Sequence, residues 1–157
     1  MDRQHSSGFS IVEALVALVV LSVGMLGIAA LYVESLRAGR TAVYRTQAVN
    51  LAADMADRIR ANRSVPDSWV LPAGANPVTH NCVGGGVTCS QEDLAEDDQA
   101  SWLQSIRSQL PGSGAATAGG TIEVDQVASP PQYEITVTWF EPGEPQPLTY
   151  VLTMQTW

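Results

Sequence analysis

One carboxylate stands at the head of an otherwise uncharged apolar run: Glu13 is followed by twenty residues without a charge, Ala14 to Val33. A carboxylate in a bilayer or an apolar helix bundle is costly unless it is paired, so Glu13 calls for a cationic partner. Cys82 and Cys89 form a second group, with Gly84, Gly85 and Gly86 between them and His80 just before. Paired cysteines in a glycine-rich loop suit a disulfide in an oxidising compartment. Spacing alone does not decide it, because bridge geometry depends on the fold. His80 adds a third candidate ligand, one short of a structural zinc site, and no metal is expected. The cluster Glu92, Asp93, Glu96, Asp97 and Asp98 lacks the spacing and central glycine of an EF-hand loop and reads as a solvated helix face. His5 and His80 are the only histidines, which leaves no credible Ser-His or Cys-His nucleophile pair. Gly84 to Gly86 have no lysine and no preceding strand, so they do not form a phosphate loop. No catalytic residue and no cofactor is expected; the chemistry gathers at Glu13.

Composition sharpens this. The 157 residues suffice for one modest domain plus an extension. Arginine supplies all eight basic residues, and seven of them lie between Arg3 and Arg63. From Ser64 onward eleven carboxylates face only Arg107, a net of about −10. Such a region repels phosphates, which argues against a nucleic-acid partner.

The uncharged run would rise roughly 30 Å as a helix, the thickness of a bilayer core. Its leucines, valines, isoleucine and methionine cover every helical face, as in a membrane span or a bundle interior. Three readings compete. A secretory signal wants a positive start and a short apolar core; here Asp2 offsets Arg3, and the run is long. A plain anchor accepts the length but leaves Glu13 unexplained. Arg37, Arg40 and Arg45 follow the span and would by themselves favour a cytoplasmic C-terminal side.

The third reading accounts for the acid. Gly8-Phe9-Ser10-Ile11-Val12-Glu13-Ala14-Leu15-Val16-Ala17-Leu18 resembles the class III signal of type IV prepilins and type II secretion pseudopilins. The resemblance implies a cut between Gly8 and Phe9 by a prepilin peptidase, N-methylation of Phe9, and retention of the apolar helix. Glu13 then becomes the fifth residue of the mature chain. The cut creates an α-amine near Glu13, which can neutralise the acid within one subunit or between neighbours. Glu13 also lies in the first turns of the helix, where the macrodipole favours negative charge. The chain departs from many members in having Ser6-Ser7, rather than a basic residue, before the glycine.

Beyond the span, Tyr44, Ala48, Leu51, Met55 and Ile59 recur at steps of four and three, an amphipathic stripe. No proline intervenes before Pro66, so one helix of roughly 80 Å is expected from about Ser10 to Asn62. The blocks Leu21–Gly27 and Leu51–Arg63 are similar to PilV-type minor pilins, the type IV pilus modification proteins, with the second block the more discriminating. Residues 64–90 read as an irregular connection. Ser90 can cap a helix carrying Leu94, Trp102, Leu103, Ile106 and Leu110 on its apolar face. A mobile stretch is expected through Gly120, then strands over Thr121–Val127, Tyr133–Glu141 and Leu148–Thr156, with Tyr133, Ile135, Val137 and Trp139 on the buried face. Trp69, Trp102, Trp139 and Trp157 read as core or interface anchors.

The expected fold is α+β and pilin-like, a long N-terminal helix packed on a small antiparallel sheet. The expected organisation is a leader over residues 1–8, an apolar transmembrane and filament-core helix over 9–33, its amphipathic continuation over 34–63, and a head over 64–157. The resemblance implies a non-catalytic minor pilin of an initiation or tip complex. It would reside as a single-pass prepilin in the bacterial inner membrane with a periplasmic head, and later at the pilus and cell surface. The implied partners are other minor pilins, the major pilin, the prepilin peptidase, the inner-membrane assembly platform and a tip-associated adhesin. The rival readings are a minor pseudopilin of type II secretion and a sensor or enzyme domain on a simple anchor.

Overall fold

The structure, a computed structural model, describes residues 8–83, 86–112 and 117–156. Most of the expected leader, Met1 to Ser7, lies outside the described residues, as do Gly84, Gly85 and Trp157. One helix, α1, runs over Ile11–Ala61, within a residue of the expected limits at each end. Glu13 sits in its first turn, and Arg58 and Arg60 in its last, each charge complementing the helix dipole.

Contacts divide the chain into two compact units between Arg40 and Thr41, and α1 contributes to both. In the first unit, every described residue is exposed except the half-buried Ala14. In the second unit, the same helix buries Ala48, Leu51, Ala52, Met55, Ala56 and Ile59. That stripe includes the expected positions and is widened by the small Ala52 and Ala56, with Tyr44 packed at its margin.

After α1 the chain is more ordered than its composition suggests. A short 3-10 helix, Pro66–Trp69, places Trp69 fully in the core, where its Nε1 donates to the Asn62 carbonyl at 3.0 Å. Leu71 then pairs with Ile122 by two backbone bonds of 2.9 Å. The expectation of an irregular connection over 64–90 is refined only over residues 66–71, where the buried Trp69 indole and the Leu71 bridge fix the chain; the described residues from Pro72 to Ser90 carry no helix or strand.

The second long helix, α2, spans Gln91–Gln109. Ser90 and Asp93 form a reciprocal capping box, each side chain accepting from the other's backbone N–H. Three antiparallel strands follow in the order β1-β2-β3, namely Gly119–Asp125, Gln132–Trp139 and Leu148–Gln155. The expected strands are right in number, and their limits move by up to two residues. Gly119 and Gly120, expected in a mobile stretch, instead pair with Thr138 and Val137. Gly120 has a steric reason to be there: a Cβ on it would meet the Trp102 ring at 2.3 Å. Tyr133, Ile135, Val137 and Trp139 all face the core, as their alternation predicts.

Candidate functional site

Gly8, Phe9 and Ser10 precede the helix with no regular structure, and all three are exposed. The first helical bond runs from the Ala14 N–H to the Ser10 carbonyl at 3.1 Å. Phe9 therefore stands one residue outside the first hydrogen-bonded turn. Phe9 and Glu13 are four residues apart, with Glu13 in the first turn of α1. Phe9 is 74 % exposed. Glu13 is exposed and has no ion-pair partner among the described residues. Around and beyond it α1 presents Ile11, Val12, Leu15, Val16 and Leu18 to the exterior. By length and composition this helix can cross a membrane.

The second group of candidates lies in the head. Cys82 and Cys89 are joined in a disulfide, with a Cα–Cα separation of 5.8 Å. The segment entering the bridge docks on α2 through carboxylates. Asp97 is buried and accepts from the backbone N–H groups of His80, Asn81 and Cys82 at 2.6, 2.9 and 3.3 Å. Glu96 accepts from the Val78 N–H and meets His80 Nε2, each at 2.9 Å. His80 also lies 3.9 Å from Asp93. The Glu96 hydrogen bond, helped by the charges of Asp93, Glu96 and Asp97, raises the His80 pKa above its ordinary value. The same contact, with the Val78 N–H, lowers that of Glu96. Asp98, in turn, holds Arg58 of α1 at 2.6 Å. Burial by itself would lower the Arg58 pKa, but the Asp98 hydrogen bond and the charges of Asp54 and Asp98 outweigh it and raise the value.

The acidic cluster on α2 is thus not a solvated face, and that reading is corrected. Three of its five carboxylates fasten other elements to the helix. Sequence reasoning missed this because the partners of Asp97 are backbone amides, which every residue but proline carries and no pattern advertises. Among the described residues, no group of histidine, cysteine, aspartate and glutamate is arranged to hold a metal ion. A further polar anchor joins Glu141, just after β2, to the Thr41 hydroxyl at 2.5 Å and to Trp139 Nε1 at 3.0 Å. It marks the first turn of α1 that belongs to the head.

Comparison with known families gives two adjoining matches. Residues 3–29 match the model of the prokaryotic N-terminal methylation motif. Residues 30–100 match the model of type IV pilin Tt1218. No curated protein and no solved structure matches the chain.

Proposed function

We propose that this chain, which matches the type IV pilin Tt1218 model over residues 30–100 and the prokaryotic N-terminal methylation motif over residues 3–29, is a type IV pilin that serves as a PilV-type minor pilin in the initiation or tip complex of the pilus. Family membership brings a membrane context and association with other pilus components. The finer reading rests on the resemblance over Leu51–Arg63, where Leu51, Ala52, Met55, Ala56 and Ile59 form the helical side of the head core.

The observation that carries the assembly role is the first part of α1. From Ile11 to Leu36 large apolar side chains are exposed on every face of the helix. Water does not tolerate such a surface, so lipid must cover it first and neighbouring subunit helices afterwards. Hydrolysis of the Gly8–Phe9 bond would release the leader and leave an α-amine on Phe9. Methylation of that amine preserves its basicity. The cation can then pair with Glu13 of the same subunit or of a neighbour once both are out of water. The subunit is structural in this reading, without catalysis of its own, and its head faces the periplasm before assembly.

Intact-mass and N-terminal sequencing of the native protein test the processing step. A mature chain beginning with N-methyl-Phe9 is expected, and any other mature N-terminus overturns it. The placement in a pilus tip is tested by co-isolation with other minor pilins; recovery with a secretion apparatus instead would assign the chain to type II secretion.

A further inference from the structure

β3 closes one side of the sheet, and among the described residues nothing pairs with its outer edge. In an antiparallel strand, alternate residues turn their N–H and C=O groups away from the neighbouring strand. Half of β3 therefore offers unpaired backbone. Proteins usually protect such an edge with charged side chains, proline, a bulge or brevity. β3 uses none of these. Its eight residues, Leu148–Gln155, pair one to one with β2 and contain no charge and no proline. β1, by contrast, carries Glu123 and Asp125, and Leu71 binds its free side through Ile122.

The core is also incomplete at this edge. The inward residues of β2 are at most 2 % exposed, whereas Leu148, Tyr150 and Leu152 of β3 are only half-buried. Beside them lies a cleft of about 380 Å³, lined by Val49 and Arg45 of α1 and by Trp139, Leu148, Thr149 and Tyr150. Arg45 is exposed and has no ion-pair partner among the described residues. An unprotected backbone edge, a half-covered apolar row and a single uncommitted cation thus converge on one place.

We propose that the outer edge of β3 receives an extended segment of a different polypeptide as a fourth strand, with apolar side chains turned toward Leu148, Tyr150 and Val49 and a carboxylate placed for Arg45. Strand addition draws affinity from main-chain hydrogen bonds and specificity from the pockets that take alternate side chains. A second copy of this chain is the poorer occupant. From Ser64 onward eleven carboxylates face one arginine, so two heads repel each other. The free side of β1, the other edge a copy could offer, is held by Leu71. The proposal goes beyond the minor-pilin reading and stands on the edge itself, wherever in the pilus the subunit sits.

The test uses the full chain in detergent micelles and a probe peptide of about ten residues, alternating valine and threonine with one central glutamate. At millimolar concentration, where even weak strand pairing is populated, the peptide is expected to slow hydrogen exchange at alternate amides within 148–155. N-methylation of alternate peptide residues is expected to abolish binding in one phase and preserve it in the other. Binding by both methylated forms, or no protection by the unmethylated peptide, overturns strand addition. Arg45→Ala should weaken the glutamate peptide about fivefold and leave a glutamine version unchanged. Equal affinity of the variant and the parent for the glutamate peptide removes the carboxylate from the proposal. Because no step depends on leader cleavage or on piliation, failure here is distinct from failure of the proposed function.

Discussion

The two parts of α1 make the instructive contrast. Residues 11–40 are the more apolar, yet they are exposed almost throughout. Residues 41–61 carry Arg45, Asp54, Asp57, Arg58 and Arg60, yet they bury a six-residue stripe in the head. Burial within the chain therefore does not follow hydrophobicity. It follows whether a second layer exists to pack against, and the sheet and α2 supply that layer only from Thr41 onward. Where apolar surface exceeds what the chain itself can cover, the missing cover must come from another medium or another molecule. Two carboxylate environments repeat the lesson. Glu13 finds no partner among the described residues, while Asp97, Glu96 and Asp98 are all engaged inside the head.

The contrast can be broken most sharply at Glu13. Glu13→Ala is expected to abolish or severely reduce piliation while the head melts at the parental temperature. Normal piliation in that variant would show that the acid has no assembly partner. The reverse separation comes from the core. Trp102 is fully buried and donates Nε1 to the Leu51 carbonyl at 2.8 Å. Trp102→Ala should cost the head about 3–5 kcal/mol, read as a fall in denaturation midpoint, with membrane insertion of α1 unchanged. Gly120→Val approaches the same indole from the other side and should cost about 1–3 kcal/mol by overpacking. An undiminished midpoint would mean that the Trp102 ring can move aside.

Smaller effects are expected where the head fastens its loop. Asp97→Ala removes the acceptor for three backbone N–H groups and should cost about 1–3 kcal/mol, with faster amide exchange at His80, Asn81 and Cys82. Exchange as slow as in the parent would deny Asp97 that role. The weakest lever is pH. His80 has a raised pKa in the folded head, so its contribution is complete below the unfolded value near 6.5 and fades as pH rises through the folded one. Glu96 has a lowered pKa, so its share is present above the unfolded value near 4.5 and is lost as pH falls through the folded one. Docking of residues 78–82 should thus be tightest between these limits and loosen toward alkaline pH. An NMR titration of His80 measures this; a midpoint at or below that of a free histidine would remove the imidazolium from the latch.

Much of the architecture was legible from residue order. The alternation Tyr133, Ile135, Val137, Trp139 marks the central strand because a pleated strand turns every second side chain to the same face. Ser90 marks the start of α2 because a hydroxyl there satisfies an orphan helix N–H, and Asp93 completes the box. The 3-10 helix at Pro66–Trp69 and the strand character of Gly119 and Gly120 were not legible. The first is fixed by the burial of its own Trp69 and the second has the distant Trp102 ring against Gly120, and local composition pointed the other way.

By itself the sequence determined the unusual acid, the bond that precedes it and the length of helix that follows. Those are properties of covalent order and of helical periodicity, and they need no partner to be defined. Only the tertiary structure decided which carboxylates on α2 hold the head together and which edge of the sheet is left bare. Those depend on which backbone groups come to lie opposite which side chains, and such proximity is created when the layers pack.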